Sequence, residues 1–311
     1  MPHVVLGTAH LFALVDPGRS GAVLAAAWDA GVRRFDTAPS YGHGLSEPAL
    51  GTFLAGHVGV EAVTTKVGLD PVAPDGAVRR AAKAAARRVL PAGVADRLRG
   101  SGAAPAPGRF APERVRASAE RSLRRLGGRV DRLLLHEVHP EEVDDRLVGE
   151  LERLVRTGDV GAVGVATQNA RTAAAVERLG PVATVAHVAA GPFDAPVRLP
   201  AHVATVVGHG LLGAGGRDLD RLRGVLGGSA ARRDRWQDAC AAAGLADDGL
   251  PEALLARATR LDLTEVLVAT GRPERVARSY ALASGSVPLP DVVGVALDEL
   301  VAAATDDARA A

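Results

Sequence analysis

Thirty-five of the 37 basic residues in this 311-residue chain are arginine, which makes Lys66 and Lys83 the exceptions. Tyrosine is as rare, at Tyr41 and Tyr280. In a chain that places arginine wherever a positive charge suffices, a lysine closing the run Ala62, Val63, Thr64, Thr65 answers a specific need. An ammonium is compact enough to approach a phenol and tune its acidity, whereas a guanidinium is a planar fork suited to carboxylates and phosphates. A phenol with an ordinary pKa of about 10 needs a nearby cation to exchange its proton near neutrality. Lys66 would supply that cation and lower the pKa of Tyr41. Asp36 and His136 each end a strand-like run as well, which would set a carboxylate and an imidazole near that pair. Taken singly, Tyr41 is an ordinary loop tyrosine, Lys66 a solvated strand end and His136 an interior histidine. Their joint pattern is what points to acid–base chemistry.

Those four side chains need elements that bring them together. The runs at 3–7, 32–36, 62–67, 131–136, 161–166, 182–188, 203–208 and 265–269 read as strands. Helical patterns fall at 19–30, 46–55, 113–126, 145–157, 171–179, 251–260, 273–284 and 291–304. Ser46 is the expected N-cap of the second helix, with Pro48 in its first turn. This alternation predicts an α/β fold, a (β/α)8 TIM barrel, as a single domain over 1–311. Asp36, Tyr41, Lys66 and His136 then stand at or just past strand ends, which converge on one face of such a barrel. The segment after strand 6, with Gly191, Pro192, Pro196 and Pro200, is shortened and leaves room for a turn or two of helix. Long loops follow strand 3 (68–112) and strand 7 (210–250), and both are expected as lids or substrate walls.

Composition narrows the class. A net charge of +1 with dispersed basic residues gives no field for nucleic acid, and 47% hydrophobic content supports a large core. Arg79, Arg80, Lys83, Arg87 and Arg88 read as a solvated helix face. Cys240 is the single cysteine, which excludes an intrachain disulfide. Neither a signal peptide nor a membrane span is read, so a cytoplasmic location is expected. The order His136, Glu137, Val138, His139, Pro140 is not a helical HExxH zinc pattern, and no metal is expected. A metal-dependent hydrolase using Asp36, His136, His139, His187 and His209 remains the minor alternative.

The runs GVRRFDTAPSYGHGLSEPALGTFL, TTKVG, ASAERSLRRLGGRVDRLLLHEV, GDVGAVGVAT and TEVLVATGRPERVARSYALA together resemble the aldo-keto reductase family, and most of all its bacterial, sugar-dehydrogenase-like branch. The resemblance implies NADPH, with NADH possible, and reduction of an aldehyde or ketone on a small-molecule carbonyl or sugar-like substrate. It places the catalytic tetrad on Asp36, Tyr41, Lys66 and His136, and implies that Tyr41 is the proton donor, that Asp36 holds Lys66 charged, and that His136 orients the carbonyl or shares in proton relay. Cofactor contacts are implied at Thr8, Ala166, Thr167, Asn169, His187, His209, Leu211, Thr270, Gly271, Arg272, Arg275 and Ser279. Arg272 and Arg275 would grip a 2′-phosphate at a helix start. This chain also departs from the family pattern. Ala166 stands for serine, with Thr167 and Asn169 as substitutes for the carboxamide, His187 for glutamine, His209 near the usual strand-seven aromatic, and Arg278 with Ser279 for an acid–amide pair. These departures motivate a second reading, a degenerate barrel that binds a nucleotide or metabolite, or does nonredox chemistry, without hydride transfer. With aromatic residues at 3%, the pocket walls must be largely aliphatic. His10, Leu11, Phe12, Phe110 and His139 are the pocket candidates.

Overall fold

The computed structural model describes residues 1–12, 16–71, 108–245 and 248–310. Eight parallel strands close into a barrel in chain order: β1 (His3–Gly7), β2 (Arg34–Asp36), β3 (Ala62–Val67), β4 (Arg132–His136), β5 (Ala162–Ala166), β6 (Ala183–Ala189), β7 (Thr205–His209) and β8 (Glu265–Val268). The ring closes where His3 pairs with Glu265 and Leu6 with Val268. The described helices are α1 (Pro17–Asp29), α2 (Ser46–Ala55), α3 (Pro112–Arg125), α4 (Asp145–Arg156), α5 (Asn169–Leu179), α6 (Arg217–Gly227), α7 (Ala230–Ala242), α8 (Leu250–Ala256), α9 (Pro273–Ser284) and α10 (Asp291–Ala310). This is the (β/α)8 architecture that the alternation predicts.

Local chemistry sets the helix starts. Asp16 caps α1 by accepting from the Arg19 amide, with Pro17 in its first turn, and Asp144 caps α4 by accepting from the Leu147 amide. In α4, Leu147, Leu151 and Leu154 recur at helical spacing and form its buried face. They join Leu133, Leu135, Val163 and Val165 from the strands and Leu24, Leu50 and Val115 from other helices in the main apolar layer. Because strand side chains alternate, Leu134 belongs instead to a separate cluster with Val185 and Val207, packed with Leu267. The register shifts between β5 and β6 at Val163/Gly164, where a side chain on Gly164 would lie 1.8 Å from the Val185 carbonyl oxygen.

At the N-terminal ends of the strands, charge closes the barrel floor. Arg132 donates from Nη1 and Nη2 to Glu265 at 2.6 and 2.8 Å, and Arg34 Nη1 donates to the same carboxylate. Burial pushes Glu265 up, but Arg132 and Arg34 outweigh it and hold the carboxyl below the usual range.

The strand-7 insertion divides: its first residues, 210–213 and 215–217, wall the cleft at the strand ends as expected, and its helices pack away from it. Its helices α6 and α7 pack with α8 and α10 around Leu222, Trp236, Cys240, Leu254, Val293 and Leu297, forming a second core beside the barrel. Residues 190–204 after β6 carry no helix. Ser46 is the first residue of α2 and does not cap it through its side chain. Most of the strand-3 insertion, with the basic run from Arg79 to Arg88, lies outside the described residues. Among the described residues no helix is long and apolar enough to cross a membrane.

Candidate active site

A cleft of about 1000 Å³ opens at the C-terminal ends of the strands, and Asp36, Tyr41, Lys66 and His136 all line it. Asp36 and His136 are the last residues of β2 and β4, and Lys66 is the penultimate residue of β3. Their convergence follows from the parallel register. Tyr41 enters through a tight turn in which Gly42 and His43 take left-handed conformations, with φ of 58° and 56°. A side chain on Gly42 would lie 3.0 Å from Phe12 Cβ and 3.1 Å from the Leu11 carbonyl oxygen. The glycine therefore permits the turn and its close packing on that loop together.

Lys66 is buried, and its ammonium donates to Asp36 Oδ1 at 2.6 Å and to the Thr37 carbonyl at 2.9 Å. The same nitrogen lies 4.7 Å from the centre of the Tyr41 ring and interacts with its hydroxyl. Two of its three donors are thus engaged, and the third is available on the Tyr41 side. Burial alone would depress Lys66, yet the Asp36 carboxylate and Tyr41 outweigh it and raise the ammonium above its usual pKa. Burial also raises Asp36, against the pull of Lys66. For Tyr41 the expected lowering is reversed in the net. Burial pushes the phenol above its ordinary value, Lys66 pulls it down, and Asp36 adds to the rise.

The His136 ring stands edge-on to Tyr41, with 6.0 Å between ring centres and 84° between planes. Burial, then Lys66, Arg109 and His209, lowers His136 to about 3, so it is neutral near pH 7. Its Nδ1 is buried without a partner. His187 and His209, also on the cleft, are held below the usual imidazole range by burial first and Lys66 second. A neutral imidazole donates from one nitrogen and accepts at the other, which suits a group that orients a carbonyl oxygen.

The remaining expected residues divide. Ala166, Thr167, Asn169, His187, His209, Leu211 and His10 line the cleft. Thr8 does not, because it is buried behind the site, donating to the Asp36 carbonyl oxygen at 3.0 Å and accepting from Ser46 at 2.7 Å. Asn169 is already committed. Its amide nitrogen donates to the carbonyls of Ala189 and Ala195, and its oxygen accepts from the Ala189 amide. Those bonds staple the end of β6 and leave Asn169 no free donor for a carboxamide.

Leu11 and Phe110 are buried in the main core, and Phe12 packs against it. None of the three is among the cleft-lining residues. Phe110 instead covers Gly68, where an added side chain would meet its ring at 2.4 Å. His139 accepts from Arg171 at 3.0 Å, also away from the lining. Thr270, Gly271, Arg272, Arg275 and Ser279 sit around the start of α9, beyond the cleft lining. Arg272 and Arg275 are exposed. Arg19 donates to the Gly271 carbonyl oxygen at 3.0 Å and pairs with Glu274 at 3.4 Å, which offsets the acid there.

Glu137, Gln168, Asp194 and Arg217, not among the expected site residues, also line the cleft. Glu137 and Gln168 follow β4 and β5 directly, so the strand-end logic that found His136 reaches them. Arg217 opens α6 behind the turn Gly213, Ala214, Gly215, Gly216, a pattern suited to an anion at a helix start. Asp194 lies in an irregular segment and carried no signal. Among the described residues, no group of three or more His, Cys, Asp or Glu side chains is arranged to hold a metal ion.

The fold and site together define a (β/α)8 barrel whose open mouth gathers a phenol, an ammonium, a carboxylate and a neutral imidazole in one cleft. The model of the Aldo/keto reductase family matches residues 3–190, and the chain belongs to that family. D-threo-aldose 1-dehydrogenase from Pseudomonas sp. is 36% identical over 169 residues, which are 50% of this chain and 46% of that protein. Pyridoxal 4-dehydrogenase from Microbacterium luteolum is 44% identical over 66 residues, 20% of this chain and 19% of that one. The chain thus spans less than half the length of either relative in these matches. In fold it is similar to the glycerol dehydrogenase of Gluconobacter oxydans, with a TM-score of 0.66 and 21% identity over 96% of this chain and 91% of that one.

Proposed function

We propose that the protein is an oxidoreductase that interconverts an aldehyde or ketone and the corresponding alcohol, with NADPH as the cofactor. The observation that supports this most directly is Lys66 set between Asp36 Oδ1 and the Tyr41 ring at the cleft mouth. The donor set fits a dinucleotide. Arg217 and the glycine turn before α6 would hold its diphosphate, Gln168 and Thr167 its carboxamide, and Arg272 and Arg275 a 2′-phosphate. When bound, the cofactor supplies the hydride.

The chain's own residues do the rest. His136, neutral and on the cleft lining, orients the carbonyl oxygen toward Tyr41. Tyr41 gives its proton to that oxygen as charge develops on it, and the Lys66 ammonium stabilises the phenolate left behind. Asp36 keeps Lys66 charged and aimed. Oxidation of the alcohol retraces this path, with the Tyr41 phenolate as base. The substrate class is a small carbonyl or sugar-like molecule, since the cleft walls combine polar strand ends with the aliphatic Leu211, Leu212 and Leu255.

The test is purified protein with NADPH and a panel of aldehydes, aldoses and ketones. Substrate-dependent NADPH oxidation that Tyr41→Phe abolishes is the expected result. No turnover across the panel, together with unchanged NADPH fluorescence, overturns it. The commitment of Asn169 to the β6 staple favours the second reading, a barrel that binds without hydride transfer. Tight NADPH binding with no turnover would select that reading.

A further inference from the structure

Asp36 is half satisfied. Its Oδ1 takes the Lys66 ammonium, whereas its Oδ2 is buried with no hydrogen-bond partner. A buried carboxylate oxygen without a donor is costly, and in native proteins such an atom calls for an explanation. His187 Nε2 lies 3.9 Å from Oδ2, about 1 Å beyond an ordinary N–H···O length. Other charged groups around the carboxylate are spoken for. Lys66 serves Oδ1, Thr37 and Tyr41, and Arg132 commits both terminal nitrogens to Glu265.

We propose that His187 is a positioning residue of the acid–base set: its Nε2–H donates to the vacant Oδ2 of Asp36, so that the carboxylate is held from both sides. The inference rests on the oxidoreductase reading for its purpose, though not for its geometry. His187 pairs across the sheet with Ala166 and Val207. The ring also faces His209, 6.3 Å away between centres. The resemblance noted above places a glutamine at this strand position, and histidine keeps a donor there on a stiffer ring.

The effect reaches Tyr41 through Asp36. A carboxylate with full charge opposes ionisation of the phenol, and a donor on Oδ2 disperses that charge. Removing the donor therefore moves Tyr41 upward. The other groups acting on this set are Lys66 from β3, Arg132 and His136 from β4, Glu137 just after it, and His209 from β7. All of them stay in place when residue 187 alone is changed.

Two tyrosines make a direct experiment practical. Protein carrying ¹³Cζ-tyrosine gives one phenol signal for Tyr41 and one for Tyr280, assigned with Tyr280→Phe, and ¹⁵N-histidine reports the tautomer of His187. The expected results are a neutral His187 protonated at Nε2, a Tyr41 titration moved up by about half a pH unit or more in His187→Leu, and its return in His187→Gln. A His187 protonated at Nδ1 alone, or a Tyr41 titration unmoved in His187→Leu, overturns the proposal. If the leucine variant does not fold, the wild-type tautomer decides. Neither measurement uses cofactor or substrate. An inactive protein that shows these shifts would therefore sink the oxidoreductase reading and leave this one standing.

Discussion

Lys66→Met tests the centre of the site, because it removes the one ammonium that both Asp36 and Tyr41 face while keeping the length of the side chain. At 4.7 Å from the Tyr41 ring centre, and with an effective dielectric of about 20, a unit charge is worth about 3.5 kcal/mol. That corresponds to roughly 2.6 pKa units, or a factor of a few hundred. The phenol is already raised by burial, so the loss moves it further from working pH. In alcohol oxidation, kcat/KM at pH 7 should fall about 100-fold or more, and the limb of the pH profile that tracks phenol ionisation should move up by about 2 units.

Stability responds through Asp36. With Lys66 gone, Asp36 Oδ1 loses its ammonium partner, and removing one member of a buried pair costs about 3–5 kcal/mol. Asp36→Asn in the same chain removes the stranded charge. Lys66→Met/Asp36→Asn should therefore recover about 2 kcal/mol in urea unfolding without recovering activity. A Lys66→Met protein with wild-type unfolding and an unmoved pH limb would refute the reasoning. So would a double variant no more stable than the single one.

Two further outcomes follow from the same structure. His136 has a folded pKa of about 3 against 6.5 in the unfolded chain, so the unfolded state binds the proton first as pH falls. Stability should therefore be complete above about pH 6.5 and be lost toward pH 3, with about 2 kcal/mol gone by pH 5 from this residue alone. Urea unfolding at pH 7 and pH 5 checks this, and His136→Gln should flatten the difference. Gly164→Ala would set a methyl 1.8 Å from the Val185 carbonyl oxygen, and that oxygen belongs to the barrel and cannot yield. A loss of about 3 kcal/mol or more, or failure to fold, is expected from such overpacking. A thermal midpoint close to wild type would contradict the β5–β6 register.

Much of the fold was legible in the sequence because strand period and helix period alternate cleanly along it. The ranges of α2 and α9 match the expected 46–55 and 273–284, and the strands agree to within two residues. The strand-7 insertion was less legible. Its Gly, Ala and Arg content reads as loop, yet Leu222, Val225, Trp236 and Cys240 supply an apolar face that needs α10 to cover it. A helix that is stable only against a distant partner leaves a weak local signal. The pocket residues failed for a related reason. Leu11 and Phe12 follow β1 closely and Phe110 precedes α3, and position in sequence does not say whether an apolar side chain faces a cleft or a core. Asn169 shows the same limit for polar groups, since only the fold reveals that its amide is used up on the backbone of β6 and the segment after it.

The two ends of the barrel show where chemistry and stability part. At the floor Glu265 is buried and paired by two arginines, and its ionisation is made easier. At the mouth Asp36 is equally buried, has one oxygen without a donor, and its ionisation is made harder. Both carboxylates occupy strand ends of one barrel, so topology alone cannot explain the difference. A fold selected for stability alone would satisfy both, because an unpartnered buried oxygen costs about 1–3 kcal/mol. At the mouth the second donor stands 3.9 Å off in His187, so the carboxylate that steadies Lys66 is completed by a ring that can turn, where Glu265 is held by two guanidinium groups already in contact.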